Sequence, residues 1–242
     1  MSTPSLILIP GLGCDERLWL PVLEHLPRGL RTAISLAHMH EADHSIAEMA
    51  ARVLRNNEGP LLLAGASMGG IIAMEVLRQA PERVAGLVLC GTNARPESDA
   101  MRELRASAIE MFEAGDFADL IRANVALAFH PDSAARPELV QHYLDMVLFA
   151  GGAQLARQNR VISARPDARQ HLPLCACPVL VLCGDSDQLT PPECSQEIAD
   201  LVAHAELLWL GRCGHMLTME HPQAVAAAMQ RWLQQHGWLA QP

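Results

Sequence analysis

Leu61-Leu62-Leu63-Ala64-Gly65-Ala66-Ser67-Met68-Gly69-Gly70 is the stretch that decides how this chain folds. Residues 61–64 form a short, continuous apolar run without alternation, the pattern of a strand covered on both faces of a parallel sheet. The run passes directly into Gly65-Ala66-Ser67-Met68-Gly69, which fits G-x-S-x-G, and an apolar helical stretch follows over residues 71–79. That arrangement demands a tight strand-to-helix turn with the serine hydroxyl projecting above the sheet. Small residues two before and two after the serine (Gly65 and Gly69) remove the side chains that would clash in such a turn. Glycine and serine are common, so the string alone says little; the strand leading in and the helix leading out give it meaning.

Working outward, the same alternation of short apolar runs and helical patterns recurs, the signature of βαβ units. Residues 6–9 read as the first strand, broken by Pro10-Gly11-Leu12-Gly13 and followed by a helical stretch near 18–26. A second strand is expected near Thr32 to Leu36, an amphipathic helix over 44–56, and a fourth strand over 84–90. From 93 to 172 the strand signal gives way to successive helical patterns, punctuated by Arg95-Pro96, Pro131-Asp132, Arg136-Pro137, Gly151-Gly152 and Arg165-Pro166. Strands return at 179–183 and 207–210, with helices near 192–203 and 222–235. The expectation is an α/β fold: a six-stranded, mainly parallel sheet flanked by helices. Residues 1–92 and 173–242 would form the core, and 93–172 a helical lid inserted after the fourth strand.

A serine hydroxyl is a poor nucleophile until a base takes its proton, so Ser67 needs a histidine, and the histidine needs a carboxylate to hold its tautomer. On a G-x-S-x-G scaffold these follow in the chain order serine, acid, histidine. The acid belongs in the turn after a late strand, where Gly184-Asp185-Ser186-Asp187 offers two aspartates. Asp187 is preferred, because it stands three residues past the strand-ending glycine and can reach a neighbouring loop. Asp185 is read as a support for its own turn through local backbone amides. Among eleven histidines, His215 in Gly211-Arg212-Cys213-Gly214-His215 follows the last strand and is the expected base. His221, before Pro222 at a helix start, is read as a cap neighbour. An oxyanion hole needs the N–H after the nucleophile, that of Met68, plus one from the loop after the first strand. Leu12 is the candidate there, with Gly11 and Gly13 letting the backbone approach a substrate. His38, His40 and His44 have spacings that suit a metal, but no thiol stands with them, and the expectation is no metal and no cofactor.

Composition narrows the classes further. At 242 residues the chain is long enough for one sizeable core. Its net charge of −9, with no basic cluster, argues against nucleic-acid binding. All 18 basic residues are arginine, which removes the P-loop lysine, Schiff-base chemistry and a Ser-Lys dyad. No apolar run reaches the ~18 residues of a bilayer span and no secretory signal pattern opens the chain, so a cytoplasmic protein without a membrane partner is expected. The seven cysteines are odd in number and include no C-x-x-C, and they read as free thiols. Arg102, Arg105, Arg122, Arg157, Arg160 and Arg165 are candidates to anchor a substrate carboxylate, although helical arginines more often pair with local acids.

Taken together, Ile9-Pro10-Gly11-Leu12-Gly13, the 65–70 turn, Gly184-Asp185-Ser186-Asp187, Gly214-His215 and Glu220-His221-Pro222 make the chain resemble the compact bacterial α/β-hydrolases, a group of small carboxylesterases, enol-lactonases and related hydrolases. Pro10 stands where many of that group carry a histidine, and the resemblance implies a sheet lacking the two N-terminal strands of the group's larger members. The resemblance implies acyl transfer to water: hydrolysis of a small-molecule ester or lactone through an acyl-serine. Acyl transfer to another acceptor, cofactor-free perhydrolysis, and a non-catalytic ligand receptor on the same fold are the alternatives. Nothing in the sequence assigns an oligomeric state.

Overall fold

The computed structural model describes residues 4–31, 34–37 and 43–239. Six parallel strands form one sheet in the order β2-β1-β3-β4-β5-β6. They are β1 (Ser5–Ile9), β2 (Ile34–Leu36), β3 (Leu61–Ala66), β4 (Val84–Cys90), β5 (Val179–Gly184) and β6 (Ala205–Leu210). Every residue of β3 and β5 is buried, which is why those runs are uniformly apolar, whereas the edge strands β2 and β6 are mostly half-exposed. Thr32, expected at the start of the second strand, lies outside the described residues.

Helices α1 (Leu20–His25), α2 (Arg28–Arg31), α3 (Ile46–Asn56) and α4 (Met68–Gln79) belong to the first half of the chain. α3 shows why the local pattern suffices: Ser45 Oγ accepts from Glu48 N at 3.1 Å and Glu48 Oε2 accepts from His44 N at 2.7 Å, a reciprocal cap. Ile46, Met49, Ala50 and Val53 then bury one face. α4 begins at Met68, three residues before the apolar stretch suggested, because the turn at Ser67 leads straight into it.

Between β4 and β5 lie α5 (Asp99–Ala114), α6 (Phe117–Ala128), α7 (Pro131–Ala134) and α8 (Pro137–Ser163). Gly151-Gly152 does not end a helix as its composition suggested. Gly151 has φ +75° and kinks α8, which continues beyond it. The apolar side chains of Met101, Leu104, Met111 and Phe149 are exposed, Phe149 by 80%. Phe149 stacks under the Arg17 guanidinium at 5.0 Å. The chain closes with α9 (Pro192–Leu201), α10 (Leu217–Glu220) and α11 (Pro222–Gln235).

Strand order places the functional end. From β1 the chain moves out to β2, then returns past β1 to β3 on its other side. Such a reversal opens a crevice at the carboxyl ends of the two neighbours, here Ile9 of β1 and its register partner Gly65 of β3.

Candidate active site

Ser67 sits at that crevice with φ 53° and ψ −116°, a conformation that L-residues avoid and that costs about 1–3 kcal/mol. The surroundings enforce it: Ser67 N donates to Cys90 O at 2.9 Å, and Ser67 O accepts from Gly70 N at 2.9 Å and from Thr92 Oγ1 at 2.7 Å. The motif glycines are required by close approach. A Cβ at Gly65 would lie 2.3 Å from the Gly69 carbonyl, and one at Gly69 would lie 2.1 Å from Ile9 O. The β1 loop folds over this turn, with the Cβ position of Gly11 3.3 Å from Ser67 Cβ.

Met68 opens α4, so its N–H has no intrahelical acceptor. Leu12 N–H donates to no backbone carbonyl among the described residues. Gly13, by contrast, has its N–H engaged by the buried Gln158 Oε1 at 2.8 Å, across 145 residues of chain. Gly13 adopts φ +68° with Leu155 and Val147 of α8 packed on it, so α8 and the β1 loop are held as one piece.

Asp187 and His215 meet as their chain order suggested. His215 Nδ1 lies 2.9 Å from Asp187 Oδ2 and 3.1 Å from Oδ1, with both side chains buried. Asp187 also accepts from Leu189 N and Thr190 N, each at 2.9 Å, and from Thr190 Oγ1 at 2.8 Å. Burial pushes the Asp187 carboxyl up, but the adjacent His215 and the bonds from His215 and Thr190 outweigh it and hold the carboxyl below its ordinary range. With Nδ1 committed to the carboxylate, the donor there is Nδ1–H and Nε2 is left as the basic nitrogen. Gly91, next to the Cys90 carbonyl that holds Ser67 N, bridges the two halves: its Cβ position is 3.2 Å from Asp187 Oδ2 and 3.4 Å from His215 Nδ1. Among the described residues the His215 side chain bonds through Nδ1 alone, so the serine and the Asp187–His215 pair share one end of the sheet without a hydrogen bond between them.

The depressed Asp187 carboxyl has a consequence for stability. A carboxyl whose folded pKa lies below the unfolded value of about 3.9 stabilises the fold fully above that pH and loses the contribution as pH falls through the folded value. Wild-type urea midpoints are therefore expected to fall more steeply than those of Asp187→Asn between about pH 5 and pH 2. Parallel slopes would show that the carboxylate is not held this way.

Asp185 accepts from the Ser186 hydroxyl of its own turn at 2.8 Å, but its backbone donors are not the local ones expected. It accepts from Arg212 N at 3.1 Å and Cys213 N at 3.3 Å, tying the loop after β5 to the loop after β6. His221 Nε2 likewise lies 3.2 Å from Arg212 O. The residue that sequence reasoning left aside is Glu220. Buried and without a cationic partner among the described residues, it accepts from Gly214 N through Oε1 and from His130 N through Oε2, both at 2.9 Å. Ala128 O accepts from His215 N at 3.0 Å and Met216 N at 3.1 Å, so residues 128–130 are stapled to the His215 loop. Gly214 permits the contact, since a Cβ there would lie 2.5 Å from His130 N. Only the Glu220-His221-Pro222 string hinted at this, because a carboxylate's backbone partners leave no trace in composition.

Five of the candidate carboxylate anchors are paired with acids. Arg105 and Arg165 both reach Glu97 at 2.6 Å, Arg160 reaches Glu113 at 2.6 Å, Arg102 reaches Asp99 at 3.1 Å and Arg122 reaches Asp119 at 3.4 Å. His38 and His40 lie outside the described residues, and among those described no group of three metal-ligating side chains gathers. No helix among them is long and apolar enough to cross a membrane.

A family model for the alpha/beta hydrolase family matches residues 6–228, most of the chain. The chain belongs to that family. Among curated proteins, a pimeloyl-[acyl-carrier protein] methyl ester esterase of Aromatoleum aromaticum is 28% identical, covering 95% of this chain and 98% of its own length. A thermophilic esterase from Thermogutta terrifontis superposes with a TM-score of 0.86 at 25% identity, covering 96% of this chain and 90% of that one. The enol-lactonase of Burkholderia xenovorans superposes at 0.84 with 22% identity, covering 96% and 92%, and shares the fold. Family membership and the esterase relatives make this alpha/beta hydrolase family member a hydrolase.

Proposed function

We propose that this family member hydrolyses a small carboxylic ester or lactone through an acyl-Ser67 intermediate, with His215 as general base and Asp187 orienting it. The observation that carries the reading is the strained Ser67 at the β1/β3 crevice, its N–H bonded to Cys90 O beside Gly91, which bridges to the paired Asp187 and His215. Rotation of the serine side chain brings Oγ to Nε2, which takes the proton as Oγ attacks the substrate carbonyl. The imidazolium so formed is stabilised by the buried Asp187 carboxylate and then protonates the leaving oxygen. Water repeats the cycle to release the acid. Met68 N–H and Leu12 N–H would bind the developing oxyanion, each worth about 10²–10³ in rate.

Residues 93–172 act in this reading as a lid over the crevice. The bonds of Gln158 to Gly13 and of residues 128–130 to the His215 loop support a lid that is docked rather than swinging. A short acyl chain is then the fitting substrate. In a series of p-nitrophenyl esters, kcat/KM should be highest for acyl groups of about two to four carbons and fall by at least about ten-fold at twelve, since added methylenes must fit a fixed wall. A maximum at twelve carbons, or a jump in rate at a lipid interface, would overturn the small-substrate reading.

Glu220 enters as a positioning residue. Glutamine can accept through only one atom, so Glu220→Gln leaves either Gly214 N or His130 N facing an amide NH₂. The expected result is a kcat lower by about 10- to 100-fold with KM little changed, as for displacement of a reacting group by about 1 Å. An unchanged kcat would show that the His215 loop keeps its place without the carboxylate.

A further inference from the structure

Two sulfurs away from the crevice touch each other. Cys175 Sγ and Cys177 Sγ lie 3.5 Å apart, in the stretch between the 3-10 turn Leu172–Leu174 and β5. Residues two apart on a regular strand point their side chains the same way but hold them about 7 Å apart, so sulfur contact requires a bend. The bend is present: Cys175 N closes the preceding turn on Leu172 O at 3.0 Å, and Cys175 Sγ approaches Cys177 O at 3.6 Å. Cys175 is buried with Leu172 and Val179, whereas Cys177 is half-buried and reachable from solvent. A closed zinc site needs four ligands, and no third metal-ligating side chain joins this pair among the described residues.

The geometry points to a reversible modification site, at which Cys175 and Cys177 are oxidised to an intrachain disulfide by a low-molecular-weight disulfide such as glutathione disulfide. The Cys177 thiol donates to Cys175 Sγ and holds that sulfur below the ordinary thiol range against the opposing effect of burial, which favours a singly ionised pair sharing one proton. Transfer of the shared proton to Cys175 Sγ frees the more accessible Cys177 sulfur to attack the oxidant; the oxidant's S–S bond breaks, and one glutathione thiolate leaves. Cys175 then loses its proton to solvent and attacks the Cys177 sulfur of the mixed disulfide, expelling the second glutathione thiolate. Two protein thiols are oxidised and one disulfide is reduced to two thiols.

The pair precedes β5 and Asp187 follows it, so a strand of six residues, about 20 Å, separates this chemistry from the crevice. The inference therefore stands apart from the hydrolysis reading, and its test needs no activity. Reduced full-length protein is equilibrated with glutathione disulfide over a series of ratios to glutathione, quenched in acid, denatured with N-ethylmaleimide, digested with pepsin and weighed. The peptide covering residues 172–179 is expected to lose two hydrogens and escape alkylation, reversibly with dithiothreitol, while Cys14, Cys90, Cys183, Cys194 and Cys213 alkylate fully. Cys175→Ser should stall as a glutathione adduct on Cys177. Wild type stalling at that same adduct, both thiols staying free at the highest disulfide ratio, or either sulfur joining a cysteine elsewhere would each overturn the inference.

Discussion

Ser67→Ala is expected to lower kcat for p-nitrophenyl acetate by at least about 10⁴-fold and to abolish labelling by a fluorophosphonate probe. The fold should survive, since the turn is held by backbone and glycine contacts: Ser67 N on Cys90 O, Thr92 Oγ1 on Ser67 O, and Gly65 against Gly69. Alanine keeps the Cβ and the positive φ and removes only the hydroxyl. Far-UV circular dichroism should match wild type, while the residual rate comes from binding and the oxyanion donors alone. A mutant that labels as fast as wild type would place the nucleophile on another residue.

Asp187→Asn should cost about 10⁴-fold in kcat, because an amide NH₂ facing Nδ1 favours the tautomer that leaves Nε2 protonated and unable to act as base. The same change at Asp185 keeps one accepting oxygen and turns an NH₂ toward either Arg212 N or Cys213 N, which loosens the loop after β6 but leaves the Asp187–His215 pair intact. Its main effect should be on stability, about 1 kcal/mol or less at this exposed position, read from the urea midpoint. If Asp185→Asn were the more damaging to kcat, the role of orienting carboxylate would pass to Asp185.

Much of this was legible in the chain because it is local. Uninterrupted apolar runs at 61–64 and 179–183 report burial on both faces, and burial on both faces in a βαβ succession means a parallel sheet. The 65–69 turn was legible because its glycines answer a steric demand made within a few residues. Boundaries slipped where no side chain marks them: α4 begins at Met68 rather than at the first branched apolar residue, and α10 had no periodicity to betray it. Helix α8 runs through Gly151 because glycine tolerates φ +75° inside a kink, so a breaker in composition became a bend in the structure.

By itself, then, the sequence determined the class of sheet, the serine turn, and the order of serine, acid and histidine along the chain, all set by periodicity, burial and turn sterics over short spans. Only the tertiary structure decided which polar atoms meet. Glu220 finds His130 N across 90 residues, Gln158 finds Gly13 N across 145, Thr190 backs Asp187, and Arg160 and Arg165 turn to Glu113 and Glu97. The physical reason is that a backbone N–H has the same chemistry at every position, and a buried carboxylate or amide takes whichever one packing delivers. That delivery depends on how helices seat against the carboxyl end of the sheet, and no local pattern encodes it.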